Sequence, residues 1–126
     1  MRSHALRRAL ALAASVALCL AAVGARAEKT EHADSVKGFD KKSYTVSVKA
    51  GQTLVVWLKS NSSFAFFNVT PPGADEAIWI GSKEGKEKAF NQKVDTPGDY
   101  EIEVYLAKAE ARRQGKADYT LTVSLD

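Results

Sequence analysis

Beyond residue 27 the chain has no cysteine, one histidine and three prolines, and it shows no long apolar run and no helical stripe of useful length. Each absence removes a class of function. Without a thiol there is neither a disulfide nor a cysteine nucleophile. With His32 as the sole imidazole, zinc sites of His and Cys lack their parts, as do Ser-His-Asp and Cys-His mechanisms. His32 also sits in a polar segment, Glu28 to Asp34, that has no periodicity and reads as a frayed, flexible terminus. No cofactor and no metal are expected, since Asp75 and Glu76 beside Gly73 lack the alternating oxygen ligands that complete a calcium loop. Glu101 and Glu103 share one side of a strand as paired carboxylates would, but that spacing is equally that of a solvated strand face. The chain reads as a non-enzyme.

Residues 1–27 have the three parts of a secretory signal peptide. Arg2, Arg7 and Arg8 precede an apolar run from Ala9 to Val23, and Ala25-Arg26-Ala27 offers small residues for cleavage. Cys19 follows Leu18, where a lipoprotein signal needs a small residue, so neither a lipid anchor nor membrane insertion after cleavage is expected. Cleavage removes four of eighteen basic residues and none of the fifteen acidic ones, leaving fourteen against fifteen, a net charge of −1. The basicity of the full sequence is therefore a targeting feature, and nucleic acid is not an expected partner. Residues 35–126 read as one periplasmic domain.

What fills that domain is period-two alternation. Tyr44, Val46 and Val48, then Leu54, Val56 and Leu58, then Tyr100, Ile102, Val104 and Leu106, then Tyr119, Leu121, Val123 and Leu125 each put apolar residues on one strand face. With Phe64–Thr70, a short Ala77–Ile80 and a weaker Ala89–Val94, this makes about seven or eight short strands with turn signals every roughly 8–12 residues. The pattern is that of an all-β antiparallel sandwich. Phe66 and Phe67 are adjacent, so one strand cannot bury both in the same layer and one of them approaches the rim.

The last two strands are joined by a long arm, Ala107 to Lys116, carrying Lys108, Glu110, Arg112, Arg113 and Lys116 and no large apolar residue. A hairpin needs only about two to five residues there. The arm has the propensity for a helical turn or two, with Gly115 as a stop. A connection enlarged without contributing to the core is a functional candidate, and Arg112 and Arg113 place paired guanidinium groups suited to carboxylates at its tip.

The spacing of these motifs resembles one known family. Ser60-Asn61 leading into Phe66-Phe67-Asn68-Val69-Thr70-Pro71-Pro72-Gly73, then Gly98-Asp99-Tyr100, Val104-Tyr105-Leu106, Ala111-Arg112-Arg113 and Ala117-Asp118-Tyr119-Thr120-Leu121, is similar to the periplasmic inhibitors of goose-type (g-type) lysozyme. More distantly, the Ala50–Leu54 and Gly98–Tyr100 turns resemble pre-peptidase C-terminal type modules. The inhibitor resemblance covers about Gly38 to Leu125 and implies a β-sandwich that pushes two loops into the substrate cleft of the muramidase. It implies Asn61, Phe66, Asn68, Tyr105, Lys108, Arg112 and Arg113 as partner-binding residues and Pro71, Pro72 and Gly73 as residues that shape one loop. The family pattern places Tyr where this chain has Phe66 and Arg where it has Lys108, so a hydroxyl and a planar fork are missing. A rival reading is a non-inhibitory envelope module that recognises cell-wall glycan or another envelope protein through aromatics such as Trp57, Trp79 and Phe67.

Overall fold

The computed structural model describes residues 28–83 and 88–126, and the signal segment read from residues 1–27 lies outside them. Two four-stranded antiparallel sheets face each other. The first contains β1 (Glu28–Lys37), β3 (Thr53–Ser60), β6 (Ala89–Lys93) and β8 (Lys116–Leu125) in the order β1-β8-β3-β6. The second contains β2 (Lys42–Val48), β4 (Ala65–Thr70), β5 (Trp79–Ile80) and β7 (Gly98–Leu106) in the order β2-β7-β4-β5. A short helix, α1 (Lys108–Arg112), lies between β7 and β8. Among the described residues no helix is long and apolar enough to cross a membrane.

The alternation in the sequence becomes burial. Leu54, Val56 and Leu58 of β3, Ile102 and Val104 of β7, and Leu121 and Val123 of β8 all point into one core between the sheets. Phe67 is the inward member of the Phe pair and is 1% exposed, whereas Phe66 lies on the outer face of the second sheet and is half-buried. Tyr100 starts the inner face of β7, and its hydroxyl donates to the Thr96 carbonyl at 2.8 Å, fixing the preceding turn. Burial raises that phenol above its ordinary pKa.

Two expectations fail. Glu28 to Asp34 is not a frayed terminus: it forms the first seven residues of β1, which pairs residue for residue with β8 from Glu28↔Leu125 to Lys37↔Lys116. Its side chains are mostly exposed, so no apolar period announces it. The backbone ladder and a few contacts toward β2 hold it in place, among them the stacking of His32 on Tyr44 with centroids 4.5 Å apart.

The second failure concerns the arm. The strands β7 and β8 are not hairpin neighbours but belong to different sheets, so the chain from Ala107 to Gly115 must cross the roughly 10 Å between the layers. It also contributes to the core, because Ala111 of α1 is buried at 1% exposure. The helix ends through Gln114, which takes the positive φ of 58° in place of the glycine, while Gly115 donates its N–H to the Glu110 carbonyl at 3.0 Å. A Cβ at Gly115 would meet the Glu110 side chain, which would have to shift.

Among the described residues, two further connections also cross between the sheets at the arm's end: residues 38–41 join β1 to β2 and residues 61–64 join β3 to β4. Both are tied to the arm, Gly38 donating to the Gly115 carbonyl at 2.9 Å and Ala107 to that of Phe64 at 2.9 Å, and Asn61 donates to the Asp118 carbonyl of β8 at 3.2 Å.

Deleting Glu28–Asp34 from the mature chain would remove seven of the ten β1–β8 pairs and bare the long, flat edge of β8. A lower melting temperature and oligomers on size exclusion are expected, and a freely monomeric truncation with unchanged melting would contradict the role given to β1. Gly98 has φ 132° and its missing Cβ would lie 2.8 Å from Pro72 Cγ. Gly98→Ala should therefore cost at least about 1–3 kcal/mol in urea unfolding.

Candidate functional site

The second sheet's outer face and the connections above it form a groove of about 410 Å³ at the arm's end. Its floor is Asn68 of β4 and Tyr105 of β7, one wall is the Gly38–Lys41 turn, the other includes Ser82, and Ala107 and Lys108 close the top. The floor is fixed by hydrogen bonds. The Tyr105 hydroxyl donates to Asn68 Oδ1 at 2.7 Å, the Gly81 N–H donates to the same oxygen at 3.3 Å, and the Ser82 N–H donates to the Tyr105 oxygen at 3.3 Å. Asn68 thus works inside the sheet, holding the Gly81–Lys83 turn against Tyr105.

Phe66 stands beside the floor. It pairs with Tyr105 across the strands, with centroids 6.3 Å apart, and the Lys88 ammonium lies 3.9 Å from its ring centroid. Lys88 also donates to the Ser63 carbonyl at 2.9 Å and to that of Ala65. Burial lowers its pKa from the ordinary lysine value. Phe66 is therefore half-covered by a lysine that ties down the β3–β4 connection.

On α1, Lys108 and Arg112 are four residues apart and so are neighbours on one side of the helix. Both are exposed. Arg113 diverges from them: its guanidinium pairs with Glu110 one turn back. The two arginines read as a pair from the sequence are thus one exposed cation and one matched by an anion of its own helix.

The structure divides the remaining candidates. Asn61 is at the arm's end but on the side of the first sheet, where its Oδ1 accepts the Asp118 N–H at 3.0 Å and pins β3 to β8. Pro71, Pro72 and Gly73 lie at the other end. Thr70 pairs with Glu101 while Ala65 pairs with Leu106, and Pro72 sits on Gly98 at the start of β7. At about 3.3 Å per residue, Pro71 lies roughly 10 Å beyond the floor residue Asn68 and roughly 20 Å from the arm's end of β4. They shape a turn against β7 and do not share the arm's end, so the Asn61–Gly73 segment does not act as one loop. Of the aromatics in the rival reading, Phe67 is core and Trp79 is half-buried between Phe67 and Phe90, whereas Trp57 is 54% exposed.

Sequence reasoning missed Phe39. It is 61% exposed at the tip of the Gly38–Lys41 turn and lines the groove opposite the floor. A large apolar residue in a turn cluster, where polar residues are the rule, was the available signal. Gly38, at φ 59°, presents it, and the Gln114 side chain packs against that glycine. Lys41 forms an ion pair with Glu103 at 3.5 Å on the same wall.

Comparison with known proteins is specific. No family model and no curated protein sequence matches the chain. Among solved structures, PliG of Aeromonas hydrophila, a periplasmic lysozyme inhibitor of g-type lysozyme, shares 36% identity over 79% of this chain and 88% of its own, with a TM-score of 0.70. PliG of Salmonella Typhimurium, at 20% identity, covers 78% and 91% with a TM-score of 0.61. A mutant of the Escherichia coli protein, also at 20%, covers 78% and 87% with a TM-score of 0.59. The two more distant proteins share the fold, and the Aeromonas protein carries the kinship. The chain belongs to the family of periplasmic inhibitors of g-type lysozyme.

Proposed function

We propose that this protein is a periplasmic inhibitor of g-type lysozyme that occupies the enzyme's substrate cleft with the arm's end of the sandwich and carries out no chemistry of its own. The observation that carries this reading is the 36% identity, across 88% of its length, to an inhibitor of that enzyme class. The geometry supports the arm's end as the working end. A glycosidase cleft holds at least one catalytic carboxyl group and is shaped for polar sugar rings. Lys108 and Arg112 offer cations for the carboxyl group, and Arg112 can bind it through two parallel hydrogen bonds. Phe39, exposed across the groove from Tyr105, offers a ring-sized apolar anchor.

The two inserted segments are then the arm and the Gly38–Lys41 turn, tied together by the bond from Gly38 to Gly115. Lys108 in place of a guanidinium makes the upper contact a point charge without the bidentate geometry. Arg112 carries the directional contact alone.

Purified mature protein should inhibit lysis of cells by a g-type lysozyme at submicromolar concentration, and the absence of inhibition at ten micromolar would refute the proposal. Phe39→Ala and Arg112→Ala should each raise the inhibition constant about thirtyfold, equivalent to roughly 2 kcal/mol. Arg113→Ala, which loses a cation already paired with Glu110, should change it less than about threefold, within what exposed ion pairs contribute. The paired change Pro71→Ala with Pro72→Ala should leave it unaltered, since those residues lie at the opposite end. Inhibition should also weaken as salt rises from about 0.05 to 0.5 M, with the loss much reduced in Arg112→Ala.

A further inference from the structure

The outer face of the first sheet lies outside the proposed inhibitory groove, yet it is the face with the exposed indole. Trp57 sits midway along β3, an interior strand, and its register neighbours are the small residues Ala89 on β6 and Thr122 on β8, so the ring stands clear of the sheet. Beside it along β8 runs a row of hydroxyls, Thr120, Thr122 and Ser124. A concavity of about 340 Å³ leads from Trp57 past Lys59 and Ser60 to Asn61, Ser62 and Ser63. A second and shallower one shares Lys59, Ser60 and Asn61 and continues to Thr120 and Ser35. The two form one trough across the sheet, with an aromatic plate at one end and hydroxyls and an amide along its length.

The trough's own lining is balanced, Lys59 and Lys88 against Asp34 and Asp118, but the sheet face around it is basic. The strand parity set by the β1–β8, β3–β8 and β3–β6 registers puts Lys29, Lys37, Lys59, Lys93 and Lys116 on this face against Glu31 and Asp118. The opposite outer face carries Asp99, Glu101 and Glu103 along β7. A chain with a net charge near zero is thus polarised, basic behind Trp57 and acidic on the other sheet.

We propose that this trough binds a glycan strand bearing carboxylates, with a pyranose ring stacked on Trp57 and the acidic substituents facing the lysines. A single aromatic among hydroxyls lacks the contiguous apolar centre of a protein interface, whereas a flat indole with polar neighbours suits a sugar ring, which has apolar C–H faces and a polar rim. The positive face selects an anionic polymer over a neutral one. The trough shares no lining residue with the inhibitory groove, and only its Asn61–Ser63 end borders the connections at the arm's end.

The test is sedimentation of the mature protein with purified insoluble peptidoglycan, in parallel with neutral chitin and with single-stranded DNA on beads. The protein should pellet with peptidoglycan at least fivefold more than with chitin or DNA, and 0.5 M salt should release most of it. Trp57→Ala should lower the pelleted fraction about tenfold and Lys59→Glu several-fold, each with unchanged circular dichroism. Lys59→Glu, a change on an exposed side chain, keeps the test decisive should Trp57→Ala fail to fold. Binding that both variants retain, equal binding to DNA, or no pelleting of the wild type would overturn the proposal. Inhibition of g-type lysozyme in solution by the two variants should match the wild type, which separates failure of this site from failure of the inhibitory one.

Discussion

The organising constraint is the gap between the two sheets. Apolar side chains from both inner faces need roughly 10 Å to interdigitate, and a chain that passes from one sheet to the other must cover that distance with backbone that belongs to neither. Here β1, β3 and β7 each hand over to their successors at the same end. Three crossings therefore crowd one pole of the molecule. Backbone groups there find partners beyond the regular ladders: Gly38 with Gly115 and Ala107 with Phe64 between crossings, and Asn61 with Asp118 of β8. The surface proposed to meet the lysozyme is the outside of this knot of connections.

This explains why the strands were legible in the sequence and the site was only half so. Period two is imposed by burial on one face, and β2, β3, β7 and β8 display it because their inner residues meet the core. The Ser35–Lys37 end of β1 reads as a short edge strand, but Glu28–Asp34 escaped detection because its side chains are mostly exposed and its backbone ladder leaves no mark in a hydropathy pattern. The arm was recognised as unusual for a reason that proved incomplete. Its length follows from a crossing between sheets, and period-two runs alone do not say which sheet a strand joins.

The motif residues sort by the same logic. Asn61 and Asn68 looked like contact residues, yet each spends its side-chain oxygen on a neighbour, Asn61 on β8 and Asn68 on Tyr105. A residue type needed for internal architecture yields the same sequence signal as one needed for a partner. Pro71-Pro72-Gly73 belongs with them, since its contact is with Gly98. Phe39 is the converse case. It lies outside the motifs that carry the resemblance, and its 61% exposure beside the groove gives weight to the faint signal of an apolar residue in a turn.

The burial of Ala111 has one further consequence. A five-residue helix has no stability of its own in water, and a basic loop of this length would ordinarily sample many conformations. With Ala111 seated in the core and both ends of the arm hydrogen-bonded, the cationic side of α1 holds its shape before any partner arrives. Association then forfeits little backbone entropy, and the encounter needs no folding step. A protein that must arrest an enzyme before it reaches the wall gains from such preorganisation in speed as much as in affinity.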